Sequence, residues 1–275
     1  MRLRARASAA ETVVFSSSER GKRAASGRAV LAAALAAMAA AAPRSGASPS
    51  SPSRKSSSAE AASTKPEAHD GVFGVVTLSG PVPKLAPRPV IADVAVCGRA
   101  DRPSPALVLG RGKEVGNVFV WLEGAKGGEL PKGPFRLDQK GCAFEPYAQV
   151  VSKGAPVTIL NSDPVLHNVH ATTAGGDALF NRAIPVRGQS FTERFTTPGV
   201  VRIKCDVHAW MNAWVFVADS PFAAVTDREG RFAFRGVAPG TYRLHAWHEL
   251  LGEKVQPVVV PASGVARADV TLSLD

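Results

Sequence analysis

The sequence predicts an all-β protein: two β-sandwiches behind an export leader and a disordered linker. Three observations predict it. From Gly71 onward, short runs rich in Val, Ile, Phe, Trp and Thr recur, each closed by Gly or Pro. No helical period of useful length appears in that region. The stretch Gln189–Phe195 alternates polar and apolar residues, as a half-buried strand does.

The chain is 275 residues long and 45% hydrophobic, enough for one or two globular domains plus tails. Its net charge of +10 is unevenly placed. Residues 1–60 hold 10 Lys/Arg against 3 Asp/Glu, and residues 61–275 hold 23 against 20. The basic excess therefore sits in the leader. No Lys/Arg stripe interleaved with aromatics occurs in the remainder, which argues against nucleic-acid binding.

Residues 1–42 read as the leader. A basic segment with Arg2, Arg4, Arg6, Lys22, Arg23 and Arg28 precedes an alanine-rich apolar run from Ala29, the order of a secretory signal. The run is too short and weakly apolar for a membrane span; it is either cleaved or kept as a signal anchor. No Cys follows it for lipid attachment, and no Arg-Arg pair marks the twin-arginine route. The expected location is periplasmic or extracellular. Residues 43–70 are rich in Ser, Ala and Pro, too poor in large apolar side chains to offset their conformational entropy.

Residues 71–134 begin the β region. Strands are expected over 72–78 and 117–122, joined by a long, proline-rich, irregular connection that contains Cys97. Residues 135–218 form a second unit, with strands expected over 149–152, 156–160, 189–195, 200–205 and 213–217 and a histidine loop before a Gly-Gly-Asp loop. Residues 219–275 continue with strands near 223–226, 231–234, 241–247, 255–260 and 268–274. Short strands at regular spacing with Gly/Pro punctuation indicate sandwiches.

The chemistry-bearing residues lie in the second unit. Cys205, His208 and Met211 stand three apart after a strand, and His167 precedes them in a separate loop. One thiolate, two imidazoles and a thioether are the donor set of a mononuclear blue-copper site, a trigonal His₂Cys plane with a weak axial sulfur. Zinc is the alternative metal; it prefers a strong fourth donor, for which His170 is the nearby candidate. If residues 167–170 are extended, His170 faces away from His167, which favours Met211. Asn168 is expected to hydrogen-bond to the Cys loop, and backbone N–H groups near Met211 to reach the sulfur. Trp210 and Trp214 read as packing or docking residues.

Three cysteines in an exported chain suggest one pair and one special thiol. With Cys205 as the ligand, Cys97 and Cys142 form the pair; two buried free thiols are the other reading. C-x-x-C-H is absent, which argues against covalent haem, and no catalytic triad or carboxylate pair can be placed. His245, His248 and Glu249 read as strand-end residues rather than a site.

The segment 135–218 resembles the cupredoxin family. Phe144-Glu145-Pro146, Lys153-Gly154, Asn161, His167-Asn168-Val169, Pro198-Gly199 and Cys205-x-x-His208-x-x-Met211 follow the order seen in plastocyanin, pseudoazurin and amicyanin. The resemblance implies a Greek-key sandwich with one type 1 copper on His167, Cys205, His208 and Met211. Residues 219–275, with Val225-Thr226-Asp227-x-x-Gly230-x-Phe232 and Pro239-Gly240-Thr241-Tyr242, resemble the carboxypeptidase-regulatory-like domain, an Ig/transthyretin-like sandwich. Its expected opening strands occur at 74–80 and 117–122, so the copper unit is expected to be inserted into a split sandwich. The implied function is an exported single-electron carrier, not an enzyme. A redox protein such as a c-type cytochrome or an oxidoreductase would dock at an apolar rim around His208 and Trp210. The alternative function is a binding or scaffold module whose copper or zinc is structural or stored.

Overall fold

The computed structural model describes residues 71–274. The expected leader and linker lie outside them. Among the described residues no helix is long and apolar enough to cross a membrane.

The first stretch contains β1 (Gly71–Leu78), one helical turn α1 (Val94–Cys97), β2 (Val108–Leu109), β3 (Val115–Gly116) and β4 (Phe119–Glu123). The middle contains β5 (Phe135–Gln139), β6 (Phe144–Glu145), β7 (Ala148–Ser152), β8 (Pro156–Asn161), β9 (His167–Thr173), β10 (Ala178–Ile184), β11 (Ser190–Arg194), β12 (Gly199–Lys204) and β13 (Asn212–Ala218). The last stretch contains β14 (Ala223–Val225), β15 (Arg231–Arg235), β16 (Gly240–His248), β17 (Gly252–Val260), β18 (Val265–Arg267) and β19 (Val270–Leu272).

The middle strands form one sandwich. One sheet runs β10-β9-β12-β13-β7 and the other β11-β8-β5-β6. Val157, Ile159, Val169, Ala171, Val201, Ile203, Val215 and Val217 face inward and fill its core. Strand β15 shows the two-residue period plainly: Phe232 and Phe234 are buried while Arg231, Ala233 and Arg235 are exposed. It belongs to the second sandwich, whose sheets are β15-β1-β18, with β19 also on β1, and β14-β4-β16-β17. Strands from both sides of the middle segment thus share the same two sheets. One core joins Val72, Val76, Val120 and Leu122 to Leu244, Val258 and Leu272.

A third apolar layer joins the sandwiches. Strand β13 turns Ala213, Val215 and Val217 into the middle core, while its other face meets β4 and β16. Phe119 packs against Phe216 at 5.7 Å between ring centroids and against Trp247 at 5.8 Å. Trp121 stacks on Phe216 at 4.7 Å, and Trp214 meets Trp247 edge-on at 4.9 Å. Trp214 is thereby a packing residue.

Two local readings change. The stretch expected to be a histidine loop is strand β9, with His167 as its first residue, paired to β10 and β12. Val169 and Ala171 fill the core from it, which holds the segment extended. The proline-rich connection is irregular but ordered as a strap across the end of the middle sandwich. The Cys97–Cys142 bridge pins it, with Cα atoms 5.5 Å apart, and Arg88 and Arg102 pair through their backbones.

Candidate metal centre

The end of the middle sandwich gathers three donors from two places. His167 opens β9; Cys205 follows the last residue of β12, and His208 lies in the loop that returns to β13. That loop is closed by two backbone bonds, Cys205 N–H to the Met211 carbonyl at 3.1 Å and Met211 N–H to the His208 carbonyl at 2.8 Å. The Met211 amide is therefore committed to His208 rather than to the cysteine sulfur.

His167, Cys205 and His208 are buried, and their ligand atoms lie within 4.8 Å of one another. The two Nδ1 atoms are 2.9 Å apart, and Cys205 Sγ lies 3.7 Å from His208 Nδ1. Metal bonds of about 2.0–2.1 Å to nitrogen and about 2.3 Å to sulfur can span these separations. Met211 is buried in the same turn. The donor set fits one ion.

The outward nitrogens are held as well. His167 Nε2 lies 2.9 Å from Asp163 Oδ2, and His208 Nε2 lies 2.9 Å from Asp93 Oδ2. A carboxylate on Nε2 fixes the proton there and leaves the Nδ1 lone pair for a metal. Burial would raise the Asp163 carboxyl, but bonds from the Cys142 amide, from His167 and from the Gly141 amide hold it below the usual range. Gly141 and Cys142 both adopt left-handed backbone, φ 60° and 54°, and both amides donate to Asp163 at 2.7 Å. Burial pushes the His167 imidazole below its ordinary value, outweighing the Asp163 bond. The neutral form that results is the metal-binding form.

Asn168 ties the two donor segments together, as its sequence position suggested. Its Oδ1 accepts from the Asp206 amide at 2.6 Å, and its Nδ2 reaches Asp206 Oδ2 at 3.1 Å. His170 is not brought to the cluster. Three residues along an extended strand it faces the other way, and its Nδ1 lies 3.0 Å from Asp206 Oδ2.

The expected apolar rim around His208 and Trp210 is not at the surface. His208 is 0% exposed and Trp210 5%. The disulfide-pinned strap covers them, with Asp93 reaching His208 and Trp210 donating its indole N–H to the Cys142 carbonyl at 3.1 Å. The rings of His208 and Trp210 lie 4.9 Å apart. Asp93 is the site residue that sequence reasoning missed entirely. Asp163 carried a local signal, four residues before His167 in an Asn-Ser-Asp-Pro turn.

The remaining histidines stand apart from the cluster. His245 lies between two carboxylates, Glu253 at 2.6 Å and Glu123 at 2.7 Å, and stacks on Trp121. His248 accepts from the Leu250 amide at 3.3 Å. Glu249 accepts a hydrogen bond from Tyr147.

No curated protein matches the sequence. Among solved structures, a purple cupredoxin from Nitrosopumilus maritimus matches at 24% identity and a TM-score of 0.28, over 30% of this chain and 99% of that one. A proline-to-glycine variant of amicyanin in its reduced Cu(I) form at pH 4 matches at 24% and 0.29, over 36% and 98%. Residues 199–273 match the model of the carboxypeptidase regulatory-like domain. The match begins before 219 and so takes in β12, β13 and the Cys205–Met211 loop.

Proposed function

We propose that the chain is an exported type 1 copper protein that carries single electrons and turns over no substrate. One observation carries the reading: a thiol and two Nδ1 atoms, all buried, converge while both Nε2 atoms are taken by carboxylates. Copper rather than zinc is favoured by the weakness of any fourth donor. Among the described residues the other grouping is Cys142, Asp163 and His167. Its Cys142 is in a disulfide, and its Asp163 oxygens already accept two amides and an imidazole. A His₂Cys plane completed weakly by Met211 suits copper, whereas zinc prefers four firm donors.

A bound copper would supply a one-electron couple. The protein's part is to hold Cys205, His167 and His208 still and to keep water out. The β9 and β12 strands, the Asn168 bond and the two carboxylates do the first; burial under the strap does the second. Since His208 is covered, the redox partner, a c-type cytochrome or an oxidoreductase, meets the strap side. Ile91 (76% exposed), Val96, Leu166 and Val207 offer exposed apolar surface on the segments that flank the site, suited to a small, weak interface. Export is supported by the Cys97–Cys142 bridge, which persists in oxidising compartments.

The complete burial of His208 favours a second reading, in which the metal is structural or stored. Cu(II) added to the purified protein separates the two. An intense visible thiolate-to-copper band, lost in Cys205→Ser and kept in His170→Ala, supports the carrier. A colourless complex, or equal preference for zinc, contradicts it.

A further inference from the structure

The ligand loop is gripped from outside at its C-terminal end. Arg88 of the strap donates to the Trp210 carbonyl at 2.8 Å and to Asn212 Oδ1, the residues on either side of Met211. Asn212 Nδ2 donates to the Tyr147 hydroxyl at 3.2 Å, and that hydroxyl donates to Glu249. Glu249 lies in the turn between β16 and β17, in the second sandwich. A hydrogen-bonded chain therefore runs from the second sandwich through the middle one to the strap, passing both neighbours of Met211. Arg88, Cys205, Met211, Asn212 and Glu249 line one cleft of about 360 Å³.

We infer that Glu249 and Arg88 are positioning residues for the metal loop, so that the second sandwich is a working part of the metal centre's frame. The inference rests on the copper reading above. Two backbone bonds close the loop onto Met211, and the contacts to Trp210 and Asn212 brace the residues on either side of it. The hydrogen-bonded chain ends in a carboxyl group on one sandwich and a guanidinium on the strap, and hydrogen bonds linked in series polarise one another. Arg88 is itself fixed: its backbone pairs with Arg102 at 2.7 and 2.8 Å, and its side chain also reaches Ser104 at 3.2 Å. Burial pushes the Glu249 carboxyl above its ordinary value, and Tyr147 and Arg88 draw it back. The geometry of a weak axial donor and of the bonds around the thiolate tunes the potential of such a site.

The test uses the full chain, loaded with copper, as wild type, Glu249→Gln, Arg88→Met and the double variant. Leu272→Ala, in the second sandwich's core, serves as a destabilised control. The expected result is a shifted midpoint potential and a shifted visible band in both single variants at unchanged copper stoichiometry. The double variant should shift no further than the larger single, because the residues act through one chain. Leu272→Ala should lower the melting temperature and leave both spectrum and potential in place. Unmoved potential and band in Glu249→Gln and Arg88→Met overturn the inference, as does an equal shift in the control. A second arm needs no metal: the alkylation rate of buried Cys205 in the metal-free protein should rise several-fold in the two variants and not in Leu272→Ala. If wild type gives no band, the copper reading fails, and the alkylation rates alone decide whether Glu249 and Arg88 hold the loop.

Discussion

Four histidines are buried among the described residues, and they form two contrasting pairs. His167 and His208, in the middle sandwich, turn their Nδ1 atoms toward each other and toward a thiol. His245 and His248, in the second sandwich, sit at the end of β16 beside no cysteine. His245 has both nitrogens on carboxylates, and His248 has one nitrogen on a backbone amide. Burial is common to both pairs, so burial alone does not mark a metal centre. The difference is that one pair leaves two lone pairs aimed at a shared point while its outer nitrogens are anchored. That convergence is what a metal ion could use.

The contrast can be broken most severely at the donors. Cys205→Ser or His167→Ala should abolish the visible copper band, whereas His245→Ala should leave its intensity unchanged; spectra of copper-titrated variants read this directly. The next effect is on the layer that joins the two sandwiches. Phe119 is wholly buried against Phe216 and Trp247, so Phe119→Ala should cost about 3–5 kcal/mol in chemical denaturation. Replacing Cys97 and Cys142 together by Ala removes a link across 45 residues and should cost about 2–5 kcal/mol. It should also release the strap, seen as faster alkylation of Cys205.

His248 supplies a pH effect confined to the second sandwich. Burial depresses its imidazole from 6.5 to about 4. Between those values the unfolded chain holds a proton that the folded chain does not, so stability rises with pH across that window. The contribution is complete above pH 6.5 and is lost as pH falls toward 4, a total on the order of 3 kcal/mol at about 1.4 kcal/mol per unit. Denaturation midpoints at pH 7 and pH 4.5 should converge in His248→Asn relative to wild type. The smallest expected effect is Asn168→Ala, which removes the partner of the Asp206 amide and should cost about 1 kcal/mol in chemical denaturation.

Much of the candidate centre's geometry is legible in the sequence because it is local. Cys205, His208 and Met211 share one short loop after a strand, and counting cysteines left Cys97 for Cys142. The orientation of His170 followed from strand parity once β9 was extended. What was not legible depends on long-range placement. Asp93 lies in a proline-rich connection with no period, and the disulfide, the Arg88–Arg102 pairing and the Arg88 contacts to Trp210 and Asn212 bring it over His208. That covering is also why an apolar rim at His208 and Trp210, read from residue type alone, lies inside the protein. The histidine stretch reads as a loop because polar residues flank it; Val169 and Ala171, packed in the core, make it a strand. Glu249 has no local pattern that ties it to a loop near residue 210.

The copper proposed on His167, Cys205 and His208 changes charge without changing place. The most direct test is a redox cycle on the copper-loaded chain with a tenfold excess of zinc present. The visible band should bleach on uptake of one electron per copper and return fully on reoxidation, with no copper released. Loss of copper on reduction, or replacement by zinc during the cycle, would contradict it.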